Sequence, residues 1–468
     1  MTLTDLSLQV RSLKKEKKYR EALAVFKKEK VHFAPEQIAS GGPLIADLMD
    51  CLRQTGQAHH AFTLLETYGI PLSGETHSNI LSSCGWVLHS LLKQQQSDAD
   101  ESEVPDDERG SADDDDTFGE AVDTGRAQLN RRVETWLGIM RDDMEGFNYS
   151  VVSNVFKTFL RTESKRQNAD WALVERVTSL LDPASLSTDC FRTKRLVKGV
   201  EKETELASDR ESWYAGRTKA LENLGRYDEC EALCEEALGA FDKFHYGNEV
   251  WFARRIALAR LNAGDIAAAR KGLEDLLKKK NEWFIRKEIA ELDYREGLNE
   301  KALAHCRQAL AGHGDLEYKV GLLLLTARVL KAVGNKPMAD RHYRMMQLVR
   351  EQQGWRTQSS LSEEMQDMDP AVAAMQDIRV LMRELHAFWV EGQPVLPKGR
   401  LKGHVRKILH DNAQGVDGFI FTQAGEKYYF SLSAENPIAA EMKQDRPVSF
   451  EVALQKDGKP RAVKIRTG

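Results

Sequence analysis

The sequence predicts a mainly α-helical protein, built as a solenoid of stacked helix pairs and ending in a small all-β domain of five strands. The first observation is a helix–turn–helix unit that repeats in phase four times between about residue 210 and residue 350. The second is a change in apolar spacing after residue 399, from the period of a helix to the alternation of short strands. The length of 468 residues agrees, because one ordinary hydrophobic core does not grow that large.

Residues 1–96 are predicted to form N-terminal helical repeats. Two loose copies of the unit each have a turn residue, a small residue five positions later and a large residue four positions further on: Lys17, Ala22 and Phe26 in the first copy, and Gly56, Ala61 and Leu65 in the second. Residues 75–95 and 127–204 have the spacing of further amphipathic helices that fall outside this phase.

Residues 97–126 are predicted to be an acidic, disordered linker. Within it, residues 97–124 hold 13 Asp and Glu against one Arg, which leaves a charge of +7 for the rest of a chain whose net charge is −5. Like charges with few apolar side chains cannot offset the entropy lost on ordering. A solvated spacer and a tethered segment that competes with RNA for a basic surface both fit this composition. A cation site at residues 113–116 is a weaker alternative, because the spacing and turn glycine of a calcium loop are missing.

Residues 127–392 are predicted to hold the main helical repeats and a capping helix. Four units share a turn glycine, a small residue five positions later and a larger residue four positions after that: Gly225, Cys230 and Cys234; Gly264, Ala269 and Leu273; Gly297, Ala302 and Cys306; and Gly334, Ala339 and Tyr343. The turns are 39, 33 and 37 residues apart. The small residue lets two helices approach closely, and the larger one fills the groove between neighbours.

This pattern resembles the tetratricopeptide repeat, which is typically 34 residues long. The resemblance implies an α-solenoid whose extended surface holds a protein partner. The segment from Pro370 to Trp389 is predicted to be one capping helix, with an apolar stripe formed by Val372, Met375, Ile378, Met382, Leu385 and Trp389. Pro394 and Pro397 then indicate a linker.

The helical part shows no catalytic motif, so we predict a protein that is not an enzyme and needs no cofactor or metal. It has no Gly-rich phosphate loop, no HExxH motif and no nucleophile elbow. Cys230 and Cys234 are four residues apart and could form one edge of a metal site, but both hold packing positions of the repeat. Six scattered cysteines and the absence of a signal-peptide or membrane-spanning pattern favour a cytoplasmic location.

Residues 399–468 are predicted to form a small closed barrel from five strands: HVRKIL, DGFIFT, KYYFSLS, PVSFEVAL and RAVKIR. The order of these pieces resembles a cold-shock domain, which is a barrel of the oligonucleotide-binding (OB) type. Residues 403–406 resemble its opening strand, while residues 418–420 and 429–434 resemble its two ribonucleoprotein-like motifs.

The resemblance implies that aromatic side chains on the second and third strands stack on unpaired bases, while basic side chains hold the phosphates. Matched residue by residue, Phe419 and Tyr429 keep the stacking chemistry, and Arg406, Lys407 and Lys427 are the predicted phosphate contacts.

Three positions depart from the cold-shock pattern. Lys407-Ile408 stands in place of an aromatic pair, Asp417 lies where an aromatic is expected, and Ser431 replaces a histidine. Each lost stacking residue removes roughly 1–3 kcal/mol of binding free energy. The segment compensates only modestly, because 12 Lys and Arg against 8 Asp and Glu give a net charge of +4.

We therefore predict a non-enzymatic adaptor. Its helical repeats bind a protein partner, and its C-terminal barrel contacts single-stranded RNA or DNA. The alternative is a protein-only interaction scaffold, such as an accessory subunit of a bacterial defence or stress system, in which the barrel is a docking module.

Overall fold

The computed structural model describes residues 1–99, 124–166, 169–197, 200–355, 359–391, 399–454 and 460–467. Within these ranges the protein is mainly helical and ends in a closed five-stranded β barrel, as the sequence predicts. The chain divides into two compact units, Met1–Ala269 and Arg270–Gly468. In the described part of the chain, no helix is both long and apolar enough to cross a membrane.

The first unit contains paired helices and one β hairpin. Its helices are α1 (Leu3–Lys15), α2 (Tyr19–Glu29), α3 (Pro35–Ser40), α4 (Gly42–Gln54), α5 (His60–Thr67), α6 (Ser78–Ala99), α7 (Thr124–Met140), α8 (Gly146–Ser164), α9 (Trp171–Ser179), α10 (Asp209–Asn223), α11 (Tyr227–Ala240), α12 (Asn248–Asn262) and the start of α13 (Ile266–Lys279). The hairpin consists of β1 (Arg192–Val197) and β2 (Val200–Glu205).

The second unit contains the remaining helices and the barrel. The helices are α14 (Trp283–Arg295), α15 (Asn299–Ala311), α16 (Val320–Ala332), α17 (Lys336–Gln353), α18 (Ser359–Glu364), α19 (Pro370–Ala373) and α20 (Ile378–Val390). The barrel strands are β3 (Leu401–Asn412), β4 (Gly415–Thr422), β5 (Lys427–Ser433), β6 (Pro447–Leu454) and β7 (Pro460–Thr467).

One turn geometry joins the two helices of every repeat that the sequence places in phase. The turn residue has a left-handed backbone at each of these positions: Lys17, Gly56, Gly225, Gly264, Gly297 and Gly334. The amide of the next residue donates to the carbonyl five positions back, over 2.8–3.0 Å in all six turns. This bond satisfies a helix-terminal carbonyl and reverses the chain, and the left-handed conformation it requires favours glycine.

The two spaced positions of the repeat are buried, as predicted. The small residue five positions after each turn is at most 1% exposed: Ala22, Ala61, Cys230, Ala269, Ala302 and Ala339. The larger residue four positions later is at most 6% exposed: Phe26, Leu65, Cys234, Leu273, Cys306 and Tyr343. The repeat phase read from the sequence is therefore confirmed.

The predicted single capping helix is wrong, because the segment contains two helices. Asp369 and Asp377 each accept a backbone hydrogen bond at the start of a helix, from Ala371 and Arg379 over 2.8 and 2.9 Å. An aspartate in this position starts a new helix by satisfying an amide that has no partner within the helix. The second start shifts the helical phase.

Leu385 and Trp389 of the predicted stripe are fully buried, but so is Leu381 outside it, whereas Ile378 and Met382 of the stripe are only partly buried.

The helical prediction for residues 127–204 is correct through α9 and wrong for residues 192–205, which form a β hairpin. Two cross-strand pairs of the hairpin join a basic and an acidic residue, Arg192 with Glu205 and Lys194 with Glu203. Facing opposite charges stabilise an antiparallel pair. The sequence did not predict the hairpin because residues 192–205 lack the alternating apolar residues that are typical of a strand.

The predicted acidic linker falls mostly outside the described residues. Helix α6 continues to Ala99 and α7 begins at Thr124, so both ends of the predicted 97–126 segment are helical. Residues 100–123 lie outside the described ranges.

The barrel has the strand order β3-β4-β5-β7-β6, and β3 pairs with β6 to close it. All its pairings are antiparallel except β5 with β7, which is parallel. Its core is a cluster of buried apolar side chains from all five strands and from the connection between β5 and β6: Val405, Val416, Ile420, Tyr428, Phe430, Met442, Val448, Phe450, Ala462 and Ile465.

Gly418 sets the distance between the first two barrel strands. A Cβ atom at this position would lie 2.0 Å from the carbonyl oxygen of Lys407, so any side chain would push β3 away. Strand β3 has irregular pairing on both sides of this contact, between Val405 and Lys407 and between Ile408 and His410. Such bulges bend a strand and help a small barrel to close.

We predict that enlarging Ala302 destabilises the protein and that enlarging Ala304 on the same helix does not. Ala302 is fully buried on α15, and Ala304 is exposed. Overpacking a buried site costs about 1–3 kcal/mol. Ala302→Trp should therefore lower the melting temperature measured by circular dichroism, while Ala304→Trp leaves it near the wild-type value. Equal melting temperatures for both variants would contradict the repeat phase.

Acidification should destabilise the second unit through His342. This side chain is fully buried, with Nδ1 2.8 Å from the Met338 carbonyl and Nε2 2.9 Å from the donating indole nitrogen of Trp389. Both ring nitrogens therefore have a hydrogen-bond partner while the ring is neutral. Burial lowers the pKa of His342 from 6.5 to about 4.

The unfolded chain therefore binds this proton first as the pH falls, so stability is lost between about pH 6.5 and pH 4. The loss reaches about 3 kcal/mol at pH 4. Urea denaturation at several pH values should give a flatter profile for His342→Gln, whose amide does not titrate. Identical slopes for the two proteins would refute this role of His342.

Candidate nucleic-acid interface

The outer face of the barrel is defined by alternation along β4 and β5. The buried, inward-facing residues of β4 are Val416, Gly418 and Ile420, and those of β5 are Tyr428 and Phe430. The side chains between them lie on the outer surface.

The register of the sheet places four residues, one from each of four strands, in a single row on the outer face. Lys407 of β3 pairs with Phe419 of β4, Phe419 with Tyr429 of β5, and Tyr429 with Arg461 of β7. We call these four residues the aromatic row. It has two aromatic side chains at its centre and a basic side chain at each end.

The two central rings are in contact. The centroids of Phe419 and Tyr429 are 5.7 Å apart, and the ring planes meet at 66°. The amine of Lys427 lies 3.9 Å from the centroid of Phe419. An ammonium over a ring is attracted by the electrons of its face. The structure thus brings together three of the five residues that the sequence singled out, and Lys407 adjoins them.

An acidic side chain borders the aromatic row. The Tyr429 hydroxyl donates to Oδ2 of Asp417 over 2.7 Å, and Nδ1 of His410 lies 2.9 Å from Oδ1. The Tyr429 hydrogen bond, followed by that of His410, holds the pKa of Asp417 below its ordinary value. Asp417 is therefore a carboxylate at neutral pH, and it fixes the orientation of the Tyr429 ring.

Arg406 lies apart from the aromatic row. It occupies the irregular position of β3 between Val405 and Lys407, and its guanidinium is 2.6 Å from Asp445. Both side chains of this ion pair are more than half exposed. An exposed pair of this kind is weak and can open toward an incoming phosphate.

Sequence reasoning missed three further residues of this face, which are His404, Phe421 and Arg461. His404 and Phe421 form a second row with the predicted Lys427, next to the aromatic row. Phe421 could have been found, because it lies two positions beyond Phe419 on the same strand. His404 and Arg461 could not, since a β bulge and a parallel pairing between distant strands determine their places.

The first unit has a separate groove between α1, α4, α6 and α8, with a volume of about 460 Å³. One wall is aromatic: the rings of Trp86 and Phe147 are 6.4 Å apart, and Phe147 is 63% exposed. The other wall is charged. Asp47 lies 2.6 Å from Lys14 and 3.0 Å from Arg11. We call this cavity the N-terminal groove.

Comparison with known proteins gives neither a matching family model nor a matching curated protein. Solved structures similar to this chain include PilF of Pseudomonas aeruginosa, at 16% identity and a TM-score of 0.33, covering 62% of this chain and 99% of that one. An IFIT1 mutant with Gppp-AAAA has 12% identity and a TM-score of 0.27, and the match covers 84% of this chain and 78% of that one. Yeast Tom70 has 12% identity and a TM-score of 0.25, covering 83% and 96%. All three are tetratricopeptide-repeat proteins.

Proposed function

We propose that the protein is a non-enzymatic adaptor whose C-terminal barrel contacts single-stranded RNA or DNA and whose helical repeats bind a protein partner. The observation that carries the nucleic-acid part is the aromatic row, in which Lys407, Phe419, Tyr429 and Arg461 lie side by side on the outer face of four strands. Single-strand binders combine stacking aromatics with flanking positive charge in this way.

The architecture of the barrel supports an OB-type assignment. OB folds are five-stranded Greek-key barrels that bind oligonucleotides on the face of their second and third strands. In this barrel those strands are β4 and β5, which carry Phe419 and Tyr429. The order β3-β4-β5-β7-β6, with a parallel pair between the third and fifth strands, is compatible with that topology.

The free energy available from the aromatic row is sufficient for weak to moderate binding. Each base stacked on an aromatic ring contributes about 1–3 kcal/mol. Lys427 now covers Phe419, but its side chain is exposed and can turn toward a phosphate when a base replaces it.

The N-terminal groove is the proposed site for a protein partner. Its volume of about 460 Å³ suits a few side chains of an extended peptide. Phe147 and Trp86 offer an apolar contact. Arg53 also lines the groove and lies 3.7 Å from Asp50. A peptide that presents an apolar side chain beside a charged one would match the aromatic and the charged wall.

A second function is favoured by Asp417. Its carboxylate lies beside Tyr429 and would repel a phosphate chain that passes close to it. The same acidic group, with Phe419 and the surrounding basic residues, also suits a mixed-charge protein surface. In this alternative the barrel docks on a protein and the whole chain is a protein-only scaffold.

We predict that the double variant Phe419→Ala/Tyr429→Ala binds single-stranded nucleic acid at least about tenfold more weakly than the wild type, because two stacking contacts are lost. Fluorescence anisotropy of a labelled mixed-sequence oligonucleotide with the full-length protein measures this. Lys407→Ala should lower affinity less and reduce the slope of log K against log salt by about 1.

Lys464→Ala is the matched control, because it removes the same charge from β7 at a residue that pairs with Glu451 outside the aromatic row. Its affinity should stay near that of the wild type. If the wild-type protein does not bind at low salt, or if all four proteins bind equally, the barrel is a protein-docking module and the adaptor proposal fails.

A further inference from the structure

Three side chains of metal-binding type meet beside the β hairpin of the first unit. Cys190 lies just before β1, Glu205 is the last residue of β2, and His245 lies in the loop between α11 and α12. One ligand atom of each, the Sγ, a carboxylate oxygen and a ring nitrogen, lies within 4.8 Å of the other two. No role in the adaptor function uses this cluster.

The hairpin and the loop bring the three residues together. Arg192 pairs with Glu205, and the amide of Leu206 donates to the Phe191 carbonyl over 2.7 Å, so the residues before β1 and after β2 stay side by side. Beyond the hairpin, Tyr246 and Gly247 both have left-handed backbones and turn the loop sharply after His245. A left-handed conformation at a residue other than glycine is strained and often marks a functional position.

His245 is oriented by a buried carboxylate. Its Nδ1 lies 2.7 Å from Oε2 of Glu211, whose other oxygen accepts from the His245 amide and from the Asn248 side chain over 2.7 and 2.8 Å. Glu211 is 1% exposed. A carboxylate at Nδ1 places the ring proton there and leaves Nε2 as an electron-pair donor, which is the arrangement found behind metal-bound histidines.

The nitrogen and oxygen donors have the spacing of a tetrahedral site. His245 Nε2 is 3.2 Å from Glu205 Oε1. Two nitrogen or oxygen ligands at 2.0–2.1 Å from a tetrahedral zinc ion lie about 3.3 Å from each other. We propose that Cys190, Glu205 and His245 bind a divalent, thiol-accepting metal ion of the Zn²⁺ class, with a fourth position open to water or to a partner's side chain.

Two basic side chains that contact Glu205 are exposed and can move away from it when the metal binds. Lys243 lies 2.9 Å from Oε1 of Glu205, and Arg192 lies 3.6 Å from Oε2. Both side chains are 66% exposed, so these ion pairs are weak and both groups can move into solvent. The metal would also displace the thiol proton of Cys190, and the resulting thiolate and carboxylate balance its two positive charges.

Cobalt substitution of the full-length protein tests this proposal. Co²⁺ in such a site gives a near-ultraviolet band from charge transfer between thiolate and metal. The wild type should develop the band with about one equivalent of Co²⁺ and lose it on addition of Zn²⁺. Cys190→Ser should show no band. Cys190 is exposed, so this variant should fold normally, with a circular dichroism spectrum like that of the wild type.

Zinc affinity provides a second readout. His245→Gln and Cys190→Ser should bind Zn²⁺ at least about tenfold more weakly in a competition titration with a chromogenic chelator, since even a residue that only orients a ligand costs that much. Glu203→Gln is the control, because Glu203 is exposed two positions away on the same strand and should leave affinity unchanged. A wild type without the cobalt–thiolate band, or a band that persists in Cys190→Ser, would overturn the site.

Discussion

The left-handed turn between paired helices is the constraint on which the helical part depends. The amide after each turn donates a hydrogen bond to the carbonyl five residues back. This bond fixes where the second helix starts and which of its faces meets the first helix. The residue five positions later then falls at the closest approach of the two helices, where only a small side chain fits. Lys17 shows how strong this requirement is, since it adopts φ 60° at a cost of about 1–2 kcal/mol that glycine avoids at the other turns.

In the barrel, strand register has the corresponding role. Gly418 lets β3 approach β4 so closely that Lys407 lies beside Phe419, and regular pairing with β5 then places Tyr429 next in line. The closure of the barrel through β7 adds Arg461, which is distant in sequence. The outer surface therefore follows from backbone contacts in the interior, and its chemistry can change without altering the fold.

The features that the sequence predicted correctly are those that depend on local geometry. Turn residues and fixed offsets gave the helix pairs, and period-two alternation gave five strands with Phe419 and Tyr429 facing outward. The features that the sequence did not predict depend on contacts between distant residues or on polar side chains, and apolar periodicity reveals neither. Asp377 starts a new helix inside an apolar pattern that continues across the break. Likewise, the neighbours of Cys190 are known only once the chain has folded.

We propose that single-stranded nucleic acid lies on the aromatic row of the barrel. Photo-cross-linking tests it most directly: full-length protein is irradiated with a single-stranded oligonucleotide containing 5-bromouridine or 5-bromodeoxyuridine, and the modified residues are identified by mass spectrometry. We expect adducts at Phe419, Tyr429 or their neighbours on β4 and β5. Adducts confined to the helical repeats, or an absence of adducts at low salt, would contradict it.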